Sequence, residues 1–312
     1  MKRRAFRADG GALTEVVARG LDRSMEEART LVTRGAVYLR GRRQRDPSLA
    51  VEAGTEVLVV LEEGGRSSTA PLPPAAPLRV LHEDDQVLAV DKPAGLAAQP
   101  TPGGVGSLLH LASSHLGRDA GLVHRLDRDT TGIMVFGKSP AATSALAASF
   151  RTGDARKQYL AVTAPGLPEA GTSTLRLARD PRRPGRWVAR ARDGLEAETR
   201  FRRLASVADL ALAVLWPRTG RTHQLRAHLT ALGAPIAGDR LYGGPPELRG
   251  ERIARSLLHA HVLVLPHPRS GRPLRLVAPL PADMAPWFAA LDVTPSEEPP
   301  ELTAAGSAAP RR

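Results

Sequence analysis

The chain has 312 residues, 42% of them hydrophobic and 24% charged, an ordinary globular composition long enough for an enzyme domain with a smaller companion. It contains no cysteine, which excludes disulfides, a thiolate nucleophile, an iron–sulfur cluster and a Cys-ligated zinc. The net charge is +12, from 44 basic and 32 acidic residues, and only Lys2, Lys92, Lys138 and Lys157 are lysines. Coding bias accounts for most of the arginine-to-lysine ratio, but not for the sign of the charge, and that sign favours a nucleic-acid partner. No apolar run approaches the ~20 residues of a membrane span. The basic start (Lys2, Arg3, Arg4, Arg7) has no apolar stretch behind it, which argues against a secretory signal and for a cytoplasmic protein.

In chain order, residues 1–12 read as a basic tail. A weak helix follows over Leu13–Arg19. A clearer one is signalled by Ser24 and Glu27, a capping box, with Ala28, Leu31 and Val32 on one face and Gly35 to stop it. Short strands are expected at Val37–Leu39 and Val57–Leu61, which closes a small α/β module over residues 13–61. Its arginines, among them Arg19, Arg23, Arg34, Arg40, Arg42 and Arg43, outnumber its acids locally. They sit on the helix, the turn and the next strand, as a phosphate-binding surface would. Such a run can also be a plain solvated face.

Residues 62–77 form a Pro/Gly/Ser linker and residues 293–312 a disordered tail. Between them lies a large domain, residues 78–292, read as α+β on a mainly antiparallel mixed sheet. A hairpin is expected over Leu78–Leu81 and Val87–Val90, and a buried strand over Ile133–Phe136. Ser139–Pro140 opens a helix running to about Phe150. Further strands are expected at Tyr159–Val162, Thr199–Leu204 and Leu210–Leu215, and a helix over Thr222–Leu232, closed by Gly233.

Three clusters carry chemistry. Val123–Gly132 is a polar loop running into the buried strand. Its Asp127 and Asp129 suit turn formation, but a carboxylate between Arg125 and Arg128 at the mouth of a strand also suits a catalytic acid. Lys157, Tyr159 and Ala161 share one strand face, where Tyr159 is either core or a platform for a stacked base. The third cluster, Arg218–Leu229, turns from strand into helix. Its His223 and His228 lie five apart and make a poor zinc pair, and His259, His261 and His267 show no ligand pattern. No phosphate-binding loop, serine elbow or HExxH helix is present, so no metal or cofactor is expected.

These clusters resemble the RluA-type family of pseudouridine synthases. The matching stretches are Asp91–Leu96, His124–Asp127 through Gly132, Lys157–Ala161, Gly220–Arg226, Gly238–Gly243 and Leu258–Pro268. Residues 13–61 are similar to the small RNA-binding domain named after ribosomal protein S-four. The resemblance implies isomerisation of uridine in RNA, ribosomal RNA of the large subunit before transfer RNA, with no cofactor and no membrane, by a monomer. It implies Asp127 as the catalytic carboxylate, Arg221 as the cation beside it and Tyr159 stacked on the base. Arg125 would then hold the RNA open. The other reading is an RNA-binding protein without catalysis, using both modules as a clamp.

Overall fold

The protein, a computed structural model, is described over residues 2–33, 35–39, 42–44, 46–61, 78–100 and 106–296. Two compact units result: residues 1–76 with 100–107, and residues 77–99 with 108–312. The expected linker, most of the C-terminal tail, and Arg34 and Arg40 lie outside the described residues.

In the first unit, helices Leu13–Leu21 and Met25–Thr33 lie beside an antiparallel sheet. Its strand order is Lys2–Arg7, Glu56–Leu61, Val37–Leu39, Arg42–Gln44. The capping box forms as its spacing predicts: Glu27 N–H donates to Ser24 Oγ at 3.2 Å, and Ser24 N–H to Glu27 Oε2 at 3.1 Å. Leu13, Val16, Val17, Leu31, Val32, Val57 and Val59 make the core. The basic tail is corrected here, because Lys2–Arg7 is a strand paired along its whole length with Glu56–Leu61. Phe6 packs on that core, while Arg4 and Arg7 stay exposed. An edge strand tolerates such charges, and they hid its periodicity.

The second unit is built on one ten-stranded sheet. Its path runs Ala170–Ser173, Thr199–Ser206, Ala211–Pro217, Arg156–Thr163, Leu258–Pro266, Thr131–Gly137, Val87–Lys92, Val80–Glu83. Two further strands, Gly121–Leu122 and Pro273–Val277, pair beside it. Thr131–Gly137 is buried at every position, because both its faces are covered. Ile133 and Val135 pack with Val87 and Leu146, while Met134 and Phe136 pack with Leu88, Leu108 and Ala112. The first face is covered by helix Pro140–Thr152, which starts where predicted: Ser139 Oγ accepts from Ala142 N–H at 3.1 Å and proline follows it. The second is covered by helix Leu108–Leu116, which the sequence reading lacked.

The strand Leu258–Pro266, also absent from that reading, holds the centre. It pairs parallel with Thr131–Gly137 and antiparallel with Arg156–Thr163. The parallel seam is short, Thr131 opposite His259 and Gly132 opposite Ala260. Gly132 has φ +107°, and a Cβ there would lie 2.2 Å from Ala260 O, so only glycine lets the two backbones meet. His259 and His261 broke the apolar pattern of this strand. They are in fact buried, His259 Nδ1 against Thr131 Oγ1 at 2.9 Å and His261 Nδ1 against Ala278 O at 2.7 Å.

Two histidines give the fold an acid limit. His124 Nε2 accepts from Val135 N–H at 3.0 Å, its ring stacks on Phe150 at 4.4 Å, and burial pulls its pKa down to about 3. Burial likewise pulls His259 down to about 4. Below their ordinary value of 6.5 the unfolded chain takes up protons that the fold excludes. The stability they confer is therefore complete above pH 6.5 and is lost as the pH falls toward 4 and then 3. Urea unfolding should weaken between pH 6.5 and 4 by up to about 1.4 kcal/mol per pH unit for each histidine. His124→Gln, which keeps an acceptor for Val135 N–H, should flatten that slope; an unchanged slope would show that His124 is not the group responsible.

Candidate active site

A cavity of about 550 Å³ opens where the three clusters converge, and Asp127, Tyr159, Lys157 and Arg226 are on its wall. This is within the usual size of a small-molecule pocket. Six cations line it (Arg125, Arg151, Lys157, Arg218, Arg221, Arg226) against one acid, Asp127. An anionic substrate is the natural occupant of such a wall.

Asp127 belongs to a loop whose backbone is gripped by cations on both sides. Lys92, 0% exposed at the end of strand Val87–Lys92, donates to the carbonyls of Pro93, Arg128 and Thr130, each at 2.8 Å. Burial pulls its pKa down to about 7, yet three acceptors use all three N–H bonds of the charged form. Arg255 reaches the carbonyl between them, Asp129 O, at 3.2 Å, while its other nitrogens clasp Asp283 at 2.6 and 2.7 Å. Gly95 and Arg128 add two more bonds, Gly95 N–H to Arg128 O and Arg128 Nε–H to Gly95 O. The carbonyls of three successive residues, 128 to 130, are thus tied down beside Asp127.

The carboxylate is held from the opposite wall. Arg226 Nη1 donates to Asp127 Oδ2 at 3.0 Å, and Nε and Nη2 donate to Asp239 at 2.6 and 2.8 Å. Asp239 is 1% exposed at its side chain, against 29% for Asp127. One guanidinium therefore bridges a buried, orienting carboxylate and a half-buried one that faces the cavity. The paired acids raise the pKa of Arg226 further, against the effect of its burial. Tyr242 closes the guanidinium face, its ring 4.8 Å away, and its hydroxyl lies 3.1 Å from His223 Nδ1. His223 Nε2 approaches Asp127 Oδ2 at 3.8 Å, and burial lowers its pKa.

This corrects the assignment of Arg221. The helix begins at Gln224, after a left-handed His223 with φ 55°, and not at Thr222. Arg221 consequently stays in the loop, where its Nε–H donates to Glu196 O at 3.0 Å, and Arg226 in the first helical turn reaches Asp127. Gln224 fixes the loop: its Oε1 accepts from Arg221 N–H and Thr219 Oγ, and its Nε2 donates to Glu198 O and Thr199 Oγ1. Both arginines lie in the same sequence stretch. Which of them reaches Asp127 depends on where the helix starts.

Tyr159 sits at a register shift between Gln158 and Tyr159, opposite Ala260. Its ring packs on two apolar clusters while the residue lines the cavity, so it is core on one side and wall on the other. Burial, and then the charge of Asp127, keep its phenol protonated. Lys157 donates to Thr219 O at 3.3 Å, and burial lowers its pKa to about 8. Arg125 Nη2 donates to Thr222 Oγ1 at 2.9 Å, spanning from the Asp127 loop to the helix start. In the other unit, Arg19 and Arg23 pair with Asp9 and Glu27 at 2.8 and 2.9 Å. They are less available than the sequence implied. Among the described residues no three His, Asp or Glu side chains are placed to hold a metal, and no helix is long and apolar enough to cross a membrane.

Replacing Lys92 with methionine would leave three carbonyls without a donor, at about 1–3 kcal/mol each. Part of this is offset by the relief of burying a charge. A net loss above about 2 kcal/mol in urea unfolding is expected for Lys92→Met, and a variant as stable as the parent would remove this role.

A family profile described as RNA pseudouridylate synthase matches residues 86–231, a span that holds Lys92, Asp127, Tyr159 and Arg226. The chain is 40% identical over 257 residues to "Ribosomal large subunit pseudouridine synthase D" of Xanthomonas campestris pv. campestris, covering 76% of this chain and 75% of that one. It is 39% identical over 277 residues to the protein of the same name in Xylella fastidiosa, covering 82% and 81%. The solved structure of "Human RNA Pseudouridylate Synthase Domain Containing 4" superposes with a TM-score of 0.57 at 30% identity, over 69% of this chain and 93% of that one. Identity of this degree over three quarters of the chain, together with a pocket that presents one clamped carboxylate among cations, shows that the chain belongs to the RluA-like family of RNA pseudouridine synthases.

Proposed function

We propose that the cavity receives a uridine turned out of large-subunit ribosomal RNA, and that Asp127 isomerises it to pseudouridine with Arg226 as its partner. The observation that carries this is the Asp127–Arg226–Asp239 bridge. Oδ2 of Asp127 is taken by the guanidinium, while Oδ1 accepts no hydrogen bond from any described residue. Oδ1 is therefore the oxygen left for the substrate. The N1–C1′ bond breaks, the uracil turns, and C1′ rejoins at C5; a proton leaves C5 and one arrives at N1. Nothing is added or lost, so the reaction calls for no cofactor. The protonated Tyr159 ring supports the turned base, and its hydroxyl is a donor rather than a base.

The cationic wall accounts for the rest of the nucleotide. Lys157 and Arg151 have no ion pair among the described residues and Arg218 has only a long one to Glu198 at 3.9 Å, so these cations take the flanking phosphates. Arg125, held across the rim by Thr222, fills the place the uridine leaves. Extruding a base costs a few kcal/mol, so loops and single strands are the favoured targets. The ribosomal substrate is supported by the printed names of the relatives, and it implies the cytoplasm as the place of action. The first unit, with its likeness to the S-four-type domain, adds a second RNA contact. Removing residues 1–77 should then lower affinity and flatten its salt dependence; equal affinity and slope would refute that contact.

The test is tritium release from C5 of uridine-labelled large-subunit RNA. Asp127→Asn should abolish turnover and keep RNA affinity, whereas Asp129→Asn, whose carbonyl serves the loop, should keep most activity. Arg226→Met should lose at least about 100-fold in rate, as removal of one preorganised charge does elsewhere, and Arg221→Met should stay within about tenfold. The reverse ranking of the two arginines would overturn the site as drawn.

A further inference from the structure

His223 lines the cavity beside Asp127, and the reaction as drawn does not use it. Its backbone lies in the left-handed region, at φ 55°, where glycine or asparagine would sit more easily. It also directly precedes the helix Gln224–Ala231, yet its side chain caps none of the helix N–H groups. Neither the turn nor the helix calls for a histidine. Backbone strain of this kind collects at functional sites, where the side chain is the reason for it.

The ring is fixed through a second residue. Tyr242 is 3% exposed; its Oη accepts from Trp187 N–H at 2.9 Å and lies 3.1 Å from His223 Nδ1. The amide already donates, so the phenolic hydrogen points to the other partner and Nδ1 accepts it. A neutral imidazole then carries its one hydrogen on Nε2. The charged and titratable groups facing the ring are Asp127, Asp239, Arg226, Arg125 and Tyr242. Burial holds its pKa below 6.5 against the pull of the two acids, and the two arginines act with burial, so the ring is neutral at pH 7. Nε2 is 3.8 Å from Asp127 Oδ2, the same oxygen that Arg226 Nη1 holds at 3.0 Å. That is too long for a hydrogen bond. Contacts of this kind are often long before substrate binds and shorten in the complex.

We propose that His223 is a positioning residue: its Nε2–H, aimed by Tyr242, closes on Asp127 Oδ2 as the uridine enters and, with Arg226, leaves Oδ1 as the oxygen open to the substrate. The inference rests on the pseudouridine synthase reading, in which Asp127 reacts. The hydrogen stays on Nε2 throughout. The histidine orients the carboxylate and exchanges no proton with it.

The experiment compares the full chain in four forms: the parent, His223→Asn, His223→Gln and Tyr242→Phe. Circular dichroism and thermal unfolding establish that each is folded. Asparagine suits the left-handed backbone, but its amide reaches only as far as Nδ1. The glutamine amide reaches the place of Nε2 and can donate there. The probe is transcribed large-subunit ribosomal RNA carrying C5-tritiated uridine, read by binding and by single-turnover tritium release. His223→Asn should be slower by at least about tenfold, the size expected for a lost hydrogen bond to a charged group, with RNA affinity unchanged. His223→Gln should regain most of that rate. Tyr242→Phe keeps the ring over Arg226 but loses the hydroxyl, and should slow release without weakening binding. Nitrogen-15 spectra of the free parent, with the His223 signals identified by their loss in His223→Asn, should show the hydrogen on Nε2.

A folded His223→Asn protein with the parental rate overturns the proposal. So does a His223→Gln protein as slow as His223→Asn, which would trace the loss to packing and not to the donor. A parent with the hydrogen on Nδ1, or a Tyr242→Phe protein as fast as the parent, overturns the aiming by Tyr242. A parent that releases no tritium overturns the function and this role with it, whereas an active parent with indifferent variants overturns the role alone.

Discussion

The structure of the site depends on one guanidinium shared by two carboxylates. Arg226 is fixed by Asp239, which is almost fully buried, and so presents its remaining nitrogen to Asp127 at 3.0 Å in a set direction. A surface ion pair of this length contributes little, because solvent screens it and both side chains must be ordered. Here the ordering is supplied beforehand by the bidentate bond to Asp239, and Tyr242 covers the guanidinium from one face. The carboxylate proposed to react is thereby oriented without being buried, which suits a group that must touch a substrate.

The opposite side of that carboxylate is fixed through backbone rather than side chain. Lys92 and Arg255 approach the loop from two different elements and bind the carbonyls of residues 128, 129 and 130. These residues lead straight into the parallel seam at Thr131 and Gly132, where the absence of a Cβ lets Ala260 come close. Rigid sheet, clamped loop and bridged arginine therefore converge on one side chain. Preorganisation of this kind is where most of an electrostatic rate advantage originates.

Much of this was legible in the sequence, for particular reasons. Ile133–Phe136 announced a buried strand because it is apolar without alternation, and Ser139–Pro140 announced a helix because a cap and a proline fit only a first turn. Asp127, Tyr159 and Arg125 do meet in one cavity. Leu258–Pro266 was missed because His259 and His261 interrupt its hydrophobic pattern, and their hydrogen bonds to Thr131 and Ala278 come from distant parts of the chain. Lys92 gave no sign of being the most deeply buried cation in the loop's support, since nothing local reveals three carbonyls arriving from residues 93, 128 and 130. The resemblance implied Arg221 beside Asp127, but the helix starts at Gln224, two residues later than the pattern suggests, and Arg226 is the one that meets the carboxylate. That displacement leaves Arg221 on the cavity wall, bonded to Glu196 O, and brings Arg226 to Asp127.

The central claim is that Asp127 works because Asp239 aims Arg226 at it, and the most direct measurement is the single-turnover rate of C5 tritium release by Asp239→Asn. Asparagine keeps the size of the side chain but cannot accept two charge-assisted bonds from the guanidinium. The rate should fall by about two orders of magnitude, comparable to loss of a preorganised charge, while RNA affinity and the circular dichroism spectrum stay close to those of the parent. A folded Asp239→Asn protein that releases tritium at the parental rate would contradict the account.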